Sequence, residues 1–224
     1  VTYASSSKGS AMDALPAKPR LRGWLHLGMT PLIQLAGVIL LVLTPTLTGR
    51  VGVAIYLAGA TLLFGTSAIY HRGTWAPRGE AILRRMDHAN IFIFIAATYT
   101  PLALTLLDRG QGTVLLSVIW AIAAAGITIK VCWMKAPRWL YTAMYVAMGW
   151  AAVWWLPTFW ANGGPAIVLL IVAGDLIYTF GALVYARKAP NPSPAWFGFH
   201  EIFHACTVVA ALCHFTAIAL TVLR

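Results

Sequence analysis

The sequence predicts an all-α integral membrane protein, a seven-transmembrane-helix bundle with its N-terminus inside and its C-terminus outside. Three observations predict it. The 224 residues are 60% hydrophobic and 10% charged, with a mean hydropathy of +0.76, whereas a soluble globular domain is about one quarter charged. Seven apolar runs reach the roughly 20 residues that a helix needs to cross a bilayer core. Lysine and arginine fall almost entirely on alternate connections between those runs, and such residues are retained on the cytoplasmic side. The net charge of +10 is therefore an orientation signal and not a nucleic-acid footprint.

Residues 1–22 are polar and rich in Pro and Ser, and read as a disordered cytoplasmic tail. The internal Met12 leads us to expect that what precedes it is appended sequence, and no cleavable signal peptide is apparent. Residues 23–224 read as a single seven-helix transmembrane domain with no internal repeat. The first run, about 25–48, stops at "TGRVG". The second, 51–71, ends on His71, and "HRGTWAPRGEAILRR" follows it. The third, 86–107, opens on Asp87 and His88 and stops at "DRGQG". The fourth, 113–134, contains "AIAAAGI", whose small residues suit close helix packing, and stops at "MKAPR". The fifth, 138–160, carries Trp150, Trp154, Trp155 and Trp160 in its outer half, where tryptophan anchors a membrane interface. The sixth, 165–187, lies between "NGGP" and "RKAPNPSP" and contains Asp175. The seventh, 200–223, begins "HEIFH". Each break carries Gly, Pro or charge, the usual punctuation of a turn.

The charges set the orientation. Lys8, Lys18, Arg20 and Arg22 precede the first run, and Arg72, Arg78, Arg84 and Arg85 join the second to the third. Lys130, Lys135 and Arg138 flank the fourth connection, with Arg187 and Lys188 on the sixth. That places thirteen on the N-terminal side, against Arg50, Arg109 and Arg224 on the other. Cys132, Cys206 and Cys213 lie in apolar runs without C-x-x-C spacing, so they read as packing residues and not as a disulfide framework.

An ionisable residue inside a span costs at least about 2.5–3.5 kcal/mol and calls for a reason. His71, Asp87, His88, Asp175, His200, Glu201, His204 and His214 are such residues. The topology delivers His71, Asp87, His200 and His204 from three helices to one depth near the cytoplasmic face. Residues i and i+4 share a helical face, so His200 and His204 can chelate one ion, His71 supplying a third nitrogen. Three protein ligands with a fourth position open is the catalytic zinc pattern. Ligand type alone leaves iron, nickel and copper open, and interfacial histidines without metal are the bland alternative. "HEIFH" also matches the H-E-x-x-H zinc-protease signature, but those enzymes take their third ligand downstream, where only an apolar span follows here. Glu201 sits about 100° around the helix from the pair, which suits a contact behind the ligands or with solvent better than a general base. His214 lies about 15 Å deeper than His204, level with Asp175. The two either pair with one another or are each satisfied by water or hydroxyls.

"SAIYH" (67–71), "RRMDHANIFIFIAATYTP" (84–101) and "HEIFHACTVVAALCH" (200–214) resemble the haemolysin III branch of the progestin and adiponectin receptor family, from about residue 20 to the end. The resemblance implies zinc held by His71, His200 and His204, a water held by Asp87, and a serine at Ser67 one turn before the first ligand. Gln is common in the family at the position of Glu201. "RGWLHLGMTP" departs from the family's N-x-x-T-H-G, so no role carries over to His26.

The resemblance further implies a zinc-dependent intramembrane hydrolase of lipid amides, ceramidase-like, acting in membrane-lipid homeostasis. Its substrates would be membrane lipids such as fatty-acyl amides, and its location the plasma membrane, a bacterial inner membrane. Zinc would polarise the amide carbonyl and activate water, with Asp87 as proton carrier and Ser67 steadying the oxyanion or orienting the metal shell. A zinc-stabilised sensor or receptor without turnover is the alternative. A pore-forming haemolysin is a third reading, disfavoured because the first, fourth and fifth runs are almost free of polar residues.

Overall fold

The computed structural model describes residues 19–133 and 137–224. Most of the expected tail, with Lys8, Met12 and Lys18, lies outside the described residues, as does Lys135. All described regular structure is helical apart from one isolated bridge between Ser193 and Phe197.

Helix α1 spans Trp24–Leu43, α2 Leu47–Arg72, α3 Pro77–Leu106 and α4 Arg109–Cys132. The polar side chain ahead of α2 and of α4 caps it: Thr46 Oγ1 accepts from Gly49 N at 3.1 Å, and Asp108 Oδ1 accepts from Gln111 N at 2.9 Å. Each satisfies a backbone donor that a helix start leaves open. Helix α3 begins nine residues before the apolar run expected at 86. Pro77 in its first turn and Glu80 near its positive end favour that start, so Arg78, Arg84 and Arg85 sit on a helix. Hydropathy registers only the apolar part of such an element.

The fifth run does not form one helix. It divides into α5, Arg138–Gly149, a 3₁₀ segment, Ala151–Trp155, and α6, Leu156–Gly163. Pro157 lacks an N–H and its ring clashes with the carbonyl four residues earlier, which favours the tighter turn before it. The break is anchored from both sides. The Tyr99 hydroxyl donates to Gly149 O, and Trp150 Nε1 donates to Thr179 Oγ1 at 3.0 Å. Helix α7 spans Pro165–Arg187 and α8 Phe199–Val222.

Six helices, α1 to α4, α7 and α8, are long and apolar enough to cross a membrane. Their burial pattern agrees with that medium. The interior is aromatic and aliphatic, with Tyr56, Phe64, Phe92 and Phe159 closed off, while Leu32, Leu35, Val42 and Leu169 are exposed. An apolar exterior of this extent is stable against lipid and not against water. Helix α2 packs along α3, and α7 along α8. Small residues allow the approach: a Cβ on Gly59 would lie 2.6 Å from Ala97 Cβ, and one on Gly52 2.7 Å from Pro101 Cα. Gly126 and Ala123 of "AIAAAGI" are buried as expected, Gly126 against Phe92.

The start of α1, the end of α2 and the starts of α3 and α8 meet at one end of the bundle. Arg50 Nε donates to Thr44 O at 2.7 Å, and Arg224 reaches Asn162 O and Gly163 O, at the other end.

Candidate metal centre

Four polar side chains converge where α2, α3 and α8 meet. His71 closes the last turn of α2, and His200 and His204 lie one turn apart at the start of α8. One nitrogen from each of the three lies within 4.8 Å of the others, and Nε2 of His71 and of His200 are 3.2 Å apart. Two imidazole nitrogens on one tetrahedral zinc, each at 2.0–2.1 Å, stand about 3.3 Å apart. The donor set fits a zinc-like ion: all three groups are neutral-capable imidazoles, and all three are largely buried.

Asp87, at the start of the apolar part of α3, places Oδ2 3.7 Å from His71 Nε2. Asn90, three residues on, fixes this register by donating to Leu62 O at 2.9 Å and Thr66 Oγ1 at 3.0 Å. Ser67 is buried one turn before His71, and its hydroxyl neighbours the Asp87 carboxylate just outside hydrogen-bond geometry. His88 is not among the converging groups: its Nδ1 bonds Arg84 O at 2.7 Å, its Nε2 lies 3.4 Å from the Tyr185 hydroxyl, and Tyr145 donates to its carbonyl.

Glu201 is not a free carboxylate. It is 1% exposed, accepts from Gly198 N at 2.8 Å, and pairs with the Arg22 guanidinium. Both oxygens are thus engaged at the cap of the helix that carries two of the histidines. This excludes the solvent contact expected as one of its roles and agrees with a place behind the ligands.

His26, to which no role carried over, stacks its ring on that of His204, centroids 3.8 Å apart and planes 6° from parallel. It is buried, with Phe64 edge-on to it. Spacing arguments miss it because no helical period links it to the candidate ligands on α2 and α8. The signal that could have found it was polarity: it is a histidine inside an apolar run.

The centre opens onto a cavity of about 100 Å³ that runs between α3, α5, α7 and α8, walled by Phe94, Ile95, Tyr145 and Phe203 among others. Asp175 and His214 also border it, and they pair, with Oδ1 and Nε2 3.3 Å apart. Gly174 makes room for that contact, since a Cβ there would lie 2.6 Å from His214 Nε2.

Comparison with known proteins adds to this geometry. A family model described as haemolysin-III related matches residues 16–215. The Hemolysin-3 homolog of Bacillus subtilis (strain 168) is 31% identical over 150 residues, covering 66% of this chain and 70% of its own. Hemolysin-3 of Bacillus cereus is 27% identical over 174 residues, 75% of this chain and 79% of its own. The heptahelical transmembrane protein ADIPOR2 of Oryza sativa subsp. japonica is 29% identical over 180 residues, 73% and 79% respectively.

Proposed function

The chain belongs to the haemolysin III family of the progestin and adiponectin receptor superfamily, and from that premise we propose that it is a zinc-dependent intramembrane hydrolase of lipid amides. The observation that carries the reading is the meeting of three histidine nitrogens within 4.8 Å, with Asp87 beside them, at the mouth of an apolar cavity. His71, His200 and His204 hold the ion. When bound, zinc supplies Lewis acidity toward a carbonyl and toward water.

The chain's own groups do the rest. The Asp87 carboxylate takes a proton from the attacking water at Oδ2 and returns it to the leaving amine nitrogen. Ser67 donates to the developing oxyanion or orients Asp87. The apolar walls hold the acyl chain, which enters sideways from the bilayer. Ceramide-like and fatty-acyl amides fit this division into a polar mouth and an apolar interior. Membrane-lipid homeostasis is the corresponding role, in the plasma membrane of a bacterium.

The seventh crossing is the segment 138–163, helical almost throughout and long enough for a hydrocarbon core of about 30 Å. A relative described as heptahelical supports that count. The cationic end that bears the metal centre then faces the cytoplasm, with the N-terminus inside. Reporter fusions at the two termini test this: activity of a periplasmic reporter at the N-terminus refutes the orientation.

Metal analysis of protein purified in detergent without chelator tests the central step. About one zinc per chain is expected, lost in both His71→Ala and His204→Ala. A metal-free wild type would remove the hydrolase. The alternative is a sensor in which the ion ties α2 to α8, as its ligands on those two helices favour. Asp87→Ala separates the two, since only catalysis requires turnover to vanish while zinc and fold remain.

A further inference from the structure

The seven residues that enter α1 touch the metal centre's supports at nearly every position. Arg20 N donates to Ala195 O at 2.9 Å, and its guanidinium lies 4.5 Å over the Trp196 ring. Leu21 N donates to Trp196 O at 3.2 Å. Arg22 pairs with the buried Glu201, which sits between the two histidine ligands of α8. Gly23 has a φ of 79°, and a Cβ there would stand 2.7 Å from His71 Cβ. Trp24 lies beneath the Arg72 guanidinium at 4.4 Å. His26 then lays its ring flat on His204, outside the trio whose nitrogens converge.

We propose that residues 20–26 are a strap that positions the metal ligands, Arg22 acting through Glu201 and His26 acting through the ring of His204. The inference rests on the zinc reading of the site and adds to it two residues that touch no metal.

The physical case has three parts. First, the Glu201 carboxylate is 1% exposed, and a charge so placed requires its counter-ion. Its hold on both Arg22 and Gly198 N fixes the first turn of α8, and with it the direction of His200 and His204. Second, a parallel ring contact at 3.8 Å leaves His204 no room to swing toward α1, while Phe64 holds His26 from its edge. Third, Gly23 is the one residue type that supports a positive φ without strain and also lets the chain lie directly on His71. The strap therefore contacts both ligand-bearing helices, α2 through Gly23 and Trp24, and α8 through Arg22 and His26. Partners behind metal ligands matter: removing one commonly weakens metal binding 10- to 100-fold.

The test is zinc affinity of the purified full chain, measured by chelator competition in detergent, beside the melting temperature of the zinc-free protein. The decisive variant is Arg22→Met with Glu201→Gln, which removes the clamp without changing net charge. The net charge of the pair is thereby held constant. About a tenfold weakening of zinc binding is expected, read at a temperature where the zinc-free variant remains folded. His26 is tested by comparing His26→Phe, which keeps the flat wall, with His26→Ala, which removes it. Zinc affinity should survive the first and fall about tenfold in the second.

Wild-type affinity in the double variant overturns the clamp, and equal affinity in the two His26 variants overturns the wall. If the double variant does not fold, the His26 pair alone decides the proposal. A wild type that binds no zinc overturns the metal reading and the strap's role together, so failure of the two is told apart.

Discussion

The Asp175–His214 pair permits a prediction whose two halves differ in size. The groups lie 3.3 Å apart on α7 and α8, facing the cavity, about 15 Å from the histidine trio along α8. Removing His214 as His214→Leu leaves a carboxylate within a transmembrane segment without its partner. An unpaired ionised residue there costs about 2.5–3.5 kcal/mol. Removing the acid as Asp175→Leu takes away the carboxylate itself, so only an interhelical hydrogen bond is lost. Such bonds average about 0.6 and reach about 1.7 kcal/mol in membrane proteins. His214→Leu should therefore destabilise the fold by roughly 1 kcal/mol or more beyond Asp175→Leu. The double variant should be no less stable than Asp175→Leu, because a buried pair replaced by apolar residues is often neutral. The assay is equilibrium unfolding in one fixed detergent micelle, with zinc content measured in parallel and expected to be unchanged. Equal losses from the two single variants, or a double variant whose loss is their sum, would refute the argument.

Three further outcomes are expected. Gly59→Leu places side-chain atoms where Ala97 Cβ already sits, 2.6 Å from the new Cβ; overpacking of this kind costs about 1–3 kcal/mol. By moving α2 off α3 it should also weaken turnover more than zinc binding, which kinetics and metal analysis on the same preparation will separate. Tyr99→Phe removes the hydroxyl that holds Gly149 O at the break between α5 and the 3₁₀ segment, and about 1 kcal/mol of stability should go with it. Unchanged unfolding would mean that the break needs no anchor. Asp87→Asn should retain zinc and melting temperature while abolishing hydrolysis of a fatty-acyl amide; full activity would end the role given to that carboxylate.

Much of the fold is legible in hydropathy because a bilayer imposes one rule on every span: about 20 apolar residues with all backbone groups satisfied within the helix. Six of the expected runs are single helices within a few residues, α3 excepted at its start, where charged turns extend beyond the apolar stretch. The run at 138–160 behaves differently because hydropathy is blind to backbone hydrogen bonding. Pro157 and the anchors from Tyr99 and Thr179 divide it, and two of these three lie on other helices.

The candidate site divides in the same way. His200 and His204 are placed together by helical period alone, and His71 and Asp87 follow from the alternation of spans, since successive helix ends must return to the same face. The sequence by itself thus determined the membrane class, the end of the bundle at which the polar residues gather, and the donor types of the candidate site. Distances, partners and ring contacts depend on how helices rotate and pack, which no local pattern encodes. Only the tertiary structure decided that Glu201 is held by Arg22, that His26 lies flat on His204, and that Asp175 and His214 pair. In each case the contact joins side chains far apart in sequence, and it is side-chain packing between helices that brings them within reach.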